Sequence, residues 1–210
     1  WSTVARRCKA RREPPLRPER AAAMLATKTF TSSVDFGKVL QIYERTYHEV
    51  LGSVRSLVFG NLRNWGDREA EALAECLPDC PQLEELDLNH GCIGAVGAAA
   101  LGAVASQCSR LRAVYMERNP LGDEGAAALM RGLVGCPALE LLSLSATGAG
   151  DVGAEAVAAE LPRCRALRRL YVNDCRISDV GAAALGSVLV ECFALEKLEI
   201  PRNRLTLQGK

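Results

Sequence analysis

Residues 111–138 read LRAVYMERNPLGDEGAAALMRGLVGCPA, and this stretch decides the fold. Val114 and Met116 alternate with Ala113, Tyr115 and Glu117, as a half-buried strand requires. Asp123 then stands just ahead of an Ala-rich run, Ala126–Leu129, that favours helix. Gly135-Cys136-Pro137 closes that helix. The unit is strand, turn, helix, turn.

The same reading returns every 28 residues on both sides. Leu83, Leu111, Leu139, Leu167 and Leu195 share one phase. Three residues on stand Leu86, Val114, Leu142, Leu170 and Leu198, and five on stand Leu88, Met116, Leu144, Val172 and Ile200. Ile93, Leu121, Ala149, Ile177 and Leu205 lie ten on. Glycine recurs at Gly97, Gly125, Gly153, Gly181 and Gly209, and cysteine at Cys80, Cys108, Cys136, Cys164 and Cys192. An earlier unit, 54–82, fits with one residue inserted between Phe59 and Trp65, and places Glu69 at the glycine phase. Repeats this strict mean stacked units that bury one continuous core. Asp67, Asp123, Asp151 and Asp179 fall at one phase, placed to cap free backbone N–H groups and to favour the positive end of a helix dipole. Ala95 breaks that rule.

The stretches LEELDLNHGCIGAVGAAAL, LGDEGAAALMRGLVGCPALELLSL and ISDVGAAALGSVLVECFALEKLEI resemble the ribonuclease-inhibitor-type leucine-rich repeat over about residues 54–210. The resemblance implies an α/β horseshoe arc with a parallel sheet on the concave face and helices on the convex face. It also implies a protein-binding module. At the turn that family places Asn or Cys; Asn119, Cys175 and Asn203 conform, whereas Gly91 and Thr147 depart and imply looser turns. Related proteins include Ran GTPase-activating protein, NOD-like receptor sensor regions and ciliary regulatory-complex subunits. The first of these implies a catalytic arginine in an early helix; this chain has Glu71 at that place, with Arg68 the nearest substitute. The alternatives to a scaffold are therefore a GTPase-activating protein for a Ran-type small GTPase, or the sensor or autoinhibitory region of a NOD-like receptor.

Net charge is +1, unevenly spread: residues 1–23 carry seven basic and two acidic side chains, leaving 19 and 23 for the rest. The repeats show no basic stripe for nucleic acid, and no run of about 18 apolar residues for a membrane. Nine cysteines, an odd number, with five at one repeat phase, read as small buried residues rather than disulfides. With no signal peptide or glycosylation sequon, the expected setting is cytoplasmic, including the cytoskeleton or cilium. Three regions are expected: a disordered basic segment over 1–33, a capping helix over 34–53, and the repeat domain over 54–210, truncated at its C-terminal end. Phe36, Val39, Leu40, Tyr43, Tyr47, Val50 and Leu51 give the helical spacing of the cap.

Candidate chemistry is sparse, and no enzyme is expected. Gly148-Ala149-Gly150-Asp151-Val152-Gly153 has the G-x-G-x-x-G spacing of a dinucleotide loop, but Gly150 and Gly153 follow the repeat. Cys76, Cys80, His90 and Cys92 have zinc-like spacing, but a strand separates the two pairs. His48 and His90 have no catalytic partner nearby in the pattern. No cofactor, metal or small-molecule substrate follows. The phase instead nominates a concave face for a protein partner: Glu85, Asp87, Tyr115, Glu117, Arg169, Tyr171, Asn173, Lys197 and Glu199 point outward from the strands. This face has an acidic start, a neutral middle (Leu141, Ser143, Ser145) and a mixed end. Tyr115 and Tyr171, two strands apart, are expected about 10 Å from each other and serve as interface anchors.

Overall fold

The computed structural model describes residues 13–28 and 33–206. Its elements in chain order are α1 (Pro18–Ala26), α2 (Ser33–Ser53), β1 (Ser56–Val58), α3 (Asp67–Cys76), β2 (Glu85–Asp87), α4 (Ala95–Ala105), β3 (Ala113–Tyr115), α5 (Gly122–Leu133), β4 (Leu141–Ser143), α6 (Asp151–Glu160), β5 (Arg169–Tyr171), α7 (Asp179–Val188) and β6 (Lys197–Glu199). The six strands pair in parallel, in chain order, as an open sheet. Register runs residue for residue along the repeat: Leu57, Leu86, Val114, Leu142, Leu170 and Leu198 are neighbours in one row. That row faces the helices. With Leu83, Leu111, Leu139 and Leu167, and with Ala70, Ala98, Ala126 and Ala154 of α3 to α6, the first five residues of that row form one core cluster, against which the partly buried Leu198 and Ala182 pack. No helix among the described residues is long and apolar enough to cross a membrane.

The aspartate phase acts across units. Asp67 Oδ1 accepts from Gly94 N (2.7 Å) and Gly97 N (2.8 Å), which begin the next helix, α4. Asp123 does the same for Gly150 and Gly153, and Asp151 for Ser178 and Gly181. Each carboxylate therefore satisfies orphan N–H groups of its successor. The glycine phase follows from this. A Cβ on Gly97, Gly153 or Gly181 would stand 2.7 Å from the carboxylate oxygen of the preceding unit. The first unit has no predecessor, and Glu69, at the glycine phase, supplies the acceptor for Gly66 N from its own helix (3.0 Å). Where Ala95 replaces the aspartate there is no staple. At that junction α4 and α5 approach until a Cβ on Gly132 would lie 1.9 Å from the Gly102 carbonyl oxygen.

The turn after each strand carries a residue in the left-handed region: Asn61, His90, Arg118, Ala146, Asp174 and Arg202, with φ from 53° to 63°. A side chain there costs about 1 kcal/mol or more, and alanine cannot recover it through a local side-chain hydrogen bond. Ala146→Gly is expected to raise stability by roughly 0.5–1 kcal/mol, after allowing for glycine's larger unfolded-state entropy. Urea unfolding would check it; an unchanged or lower midpoint would refute it. The departures from Asn or Cys do not leave loose turns. Thr147 is buried and its hydroxyl donates to Leu144 O (2.7 Å). Gly91 vacates space, since a Cβ there would lie 2.7 Å from Asn119 Oδ1.

At the N-terminal end, Tyr47 and Leu51 of α2 are buried against the first unit, with Tyr43 and Val50 partly buried beside them, whereas Val39 is exposed. The stretch 1–33, expected to lack structure, contains α1. Pro18 opens it with a fixed φ, and the alanine run at 21–23 sustains it. Pro14, Pro15, Pro18 and Ala21 are buried. Arg20 pairs with Glu75, and Tyr43 Oη donates to Leu16 O (2.7 Å). A basic, proline-bearing composition hid this because the stabilising surface belongs to α2 and α3. The rest of that expectation, over 1–12 and 29–32, lies outside the described residues.

The eight described cysteines are free thiols. Those of the repeat phase plug the helix-to-strand turns: Cys108 Sγ donates to Leu77 O (3.5 Å) and Cys136 Sγ to Ala105 O (3.2 Å), each reaching the preceding unit. Burial pushes the Cys108 and Cys164 thiols up to about 11 and Cys136 up to about 12. A raised thiol pKa leaves little thiolate near neutrality and delays reaction until the pH approaches it. Cys92 is exposed. Mapped alkylation at pH 7.5 should therefore modify Cys92 at least ten-fold faster than Cys108 or Cys136; equal rates would contradict this packing.

Candidate protein-binding face

The side chains opposite the core row make the concave surface. Ser56, Glu85, Ala113, Leu141, Arg169 and Lys197 align across the strands, as do Val58, Asp87, Tyr115, Ser143, Tyr171 and Glu199. A third row is tied by side chains. Glu117 N donates to Asn89 Oδ1 (2.6 Å), and Asn173 N to Ser145 Oγ (3.2 Å).

The neutral middle is a floor. Leu141 is 6% exposed, Ser143 0% and Ser145 9%. Tyr115 and Tyr171 flank Ser143 on either side and are half-buried, not fully exposed. Ser143 Oγ donates to Glu117 Oε1 (2.7 Å) beneath them. Burial raises the Tyr115 phenol pKa; Glu85 and Asp87 raise it further while Arg169 opposes them. At the far end Lys197 Nζ lies 2.5 Å from Glu199 Oε1 and 5.6 Å from the Tyr171 ring centroid. Glu199 raises the Lys197 pKa, and Lys197, then Asn173, lower that of Glu199.

The fold thus brings all nine nominated residues onto one surface, in two charged groups joined by a small-residue floor. Two contributors escaped the sequence reading. Val58, 62% exposed, stands beside Asp87. A rim of alternating charge precedes the strands: Arg55–Glu84 (3.3 Å), Arg112–Glu140 (2.8 Å) and Arg168–Glu196 (3.5 Å). Its signal was the alternation Glu84, Arg112, Glu140, Arg168, Glu196 at the 28-residue period. This rim and the strand face enclose a cleft of about 450 Å³ over Glu85, Tyr115 and Leu141. A larger cavity, about 610 Å³, lies between the turns entering β5 and β6, away from the outward strand residues.

The other candidates are dispersed. Gly150 and Gly153 already spend their N–H groups on Asp123, so the glycine-rich loop has no free cradle at those two positions. Cys76 Sγ donates to Pro15 O (3.1 Å), Cys80 Sγ to Cys76 O (3.4 Å) and Cys92 Sγ to Arg63 O (2.9 Å). His48 packs edge-on to Tyr47, and His90 occupies a left-handed turn. Arg68 and Glu71 are exposed on α3 and do not belong to the strand face.

A family model described as Leucine Rich repeat matches residues 79–102, 107–130 and 163–186. No curated protein matches the chain. Among solved structures, it is similar to the leiomodin-1 actin-binding site 2, at 13% identity and a TM-score of 0.57, over 72% of this chain and 90% of that one. It is likewise similar to the tropomodulin C-terminal domain of Caenorhabditis elegans, at 15% identity and 0.58, over 71% and 90%. At these identities the likeness is one of fold. The chain carries leucine-rich repeats, stacked as a leucine-rich-repeat solenoid.

Proposed function

We propose that residues 54–210, with 34–53 as their N-terminal cap, form a non-enzymatic scaffold that binds a protein partner through the concave strand face. The repeat is of ribonuclease-inhibitor type, on the strength of its 28-residue unit and G-D-x-G-A-x-A-L helices. The observation that carries the function is the pair Tyr115 and Tyr171. They are half-buried around a sealed floor and ringed by charge, which is the make-up of an interface centre. Such rings lose little conformational freedom on docking, because the sheet already holds them.

Actin is the partner named for one structural neighbour, and a cytoskeletal setting fits the reading. The test is affinity capture with the parent chain and with Tyr115→Ala/Tyr171→Ala, alongside co-sedimentation with filamentous actin. The double variant is expected to lose about 2 kcal/mol of binding, roughly thirty-fold, with its helical circular dichroism intact. Equal capture of every partner by both chains would remove the strand face from the function.

A further inference from the structure

Two tyrosines stand at one register position, and only one of them holds a cation. Tyr171 carries Lys197 Nζ 5.6 Å from its ring centroid, and Glu199 neutralises that ammonium at 2.5 Å. Ring, carboxylate and ammonium are all supplied from within the chain. Tyr115, two strands away, has the ring and the carboxylates without the ammonium. Glu85 and Asp87 stand on the adjacent strand, Asp87 directly in register with it. Glu117 follows Tyr115 on its own side of the face.

Among the described residues none of these three carboxylates is in an ion pair. Glu85 accepts from Ser56 Oγ (3.1 Å), Asp87 from Asn89 N (3.0 Å) and Glu117 from Ser143 Oγ (2.7 Å). These hydrogen bonds orient the carboxylates without neutralising them. Three arginines line the same cleft: Arg55 and Arg112 are held by Glu84 and Glu140, which leaves the exposed Arg169 against Glu85 of the lining, with Asp87 and Glu117 next to Tyr115 beyond it. A long cationic side chain entering the cleft would meet an aromatic ring and negative charge together, the combination that favours Lys and Arg. About 450 Å³ accommodates it.

Building on the concave-face reading, we infer that Tyr115, Glu85 and Asp87 receive a lysine or arginine side chain, and that the partner presents a basic segment to the β1–β3 end of the face. The Tyr171–Lys197–Glu199 group is the occupied counterpart of this docking point.

The probe is a fluorescein-labelled ten-residue peptide of alternating lysine and serine, compared with its glutamine–serine counterpart by fluorescence anisotropy in low salt. The full chain is expected to bind the lysine peptide at least ten-fold more tightly. Glu85→Gln/Asp87→Asn should cut that affinity about ten-fold. Tyr115→Ala should cut it two- to five-fold and Tyr115→Phe, which keeps the ring, less than two-fold. Glu155→Gln, on an exposed helical surface, should leave it unchanged and controls for bulk charge. Equal affinity for the two peptides overturns the inference, as does an unaltered affinity in the Glu85→Gln/Asp87→Asn variant with native circular dichroism. Either result leaves the concave-face reading standing wherever a captured partner still depends on Tyr115 and Tyr171.

Discussion

Gly132→Ala is expected to destabilise the protein by at least about 3 kcal/mol, while Gly186→Ala stabilises it by roughly 0.5–1 kcal/mol. Both glycines lie in helices, α5 and α7. In an isolated helix both substitutions would help, because glycine loses the most backbone freedom on folding. Their surroundings decide otherwise. A Cβ at Gly186 meets nothing within 4 Å. At Gly132 it meets the Gly102 carbonyl oxygen at 1.9 Å, its carbon at 2.3 Å and its Cα at 2.5 Å, all of them backbone. No rotamer relieves that overlap, so α4 and α5 must separate by more than 1 Å and lose contact along the junction that has no aspartate staple. For a chain of this size the Gly132→Ala penalty corresponds to a melting temperature lower by roughly 6–12 °C. Urea midpoints of the two variants falling on the same side of the parent would defeat this account of the junction.

That junction also marks the limit of what the sequence discloses. The arc, its parallel sheet, the register and the outward rows were all legible, because a 28-residue period assigns each position its depth once one unit is read. The aspartate and glycine phases were visible separately, yet their causal link was not. Asp67 and Gly97 are 30 residues apart, and only the stacked geometry puts carboxylate on amide. Gly132 stands alone at a phase that holds Val104, Glu160 and Val188 elsewhere, so its contact with Gly102 left no periodic trace. On the binding face, position could be read but depth could not. Leu141 and Ser143 face outward by phase and are nonetheless buried; Ser143 lies in register between the larger Tyr115 and Tyr171, and Leu141 forms the floor beside it. The α1 segment was invisible for a related reason: its burial rests on surface contributed by α2 and α3, which local composition does not carry.

Asn119→Ala is expected to cost about 3 kcal/mol, more than its small change in volume accounts for. Asn119 is 1% exposed, and both ends of its amide are hydrogen-bonded. Its Oδ1 accepts from Ile93 N (3.1 Å), while Nδ2 donates to Leu88 O (2.8 Å) and Met116 O (3.1 Å). Two of these partners belong to the preceding unit, so one amide fastens two turns together. Truncation leaves a buried N–H and two carbonyls to share whatever water can enter, and each unsatisfied group costs about 1–3 kcal/mol. Asn203 makes the same three contacts one end along, to Ile177 N, Val172 O and Ile200 O. Cys175 at that phase keeps only a thiol donor, to Leu144 O (3.4 Å). Asn119→Cys should therefore fall between parent and Asn119→Ala. The amide also explains Gly91, whose added Cβ would strike Oδ1 at 2.7 Å and Trp65 O at 3.0 Å. Gly91→Ala should thus be costly in the parent and cheaper by more than about 1 kcal/mol once Asn119 is alanine, a coupling that a double-mutant cycle measures directly. Additive losses would mean that Gly91 answers to Trp65 alone, and that the amide does not shape the turn it crosses.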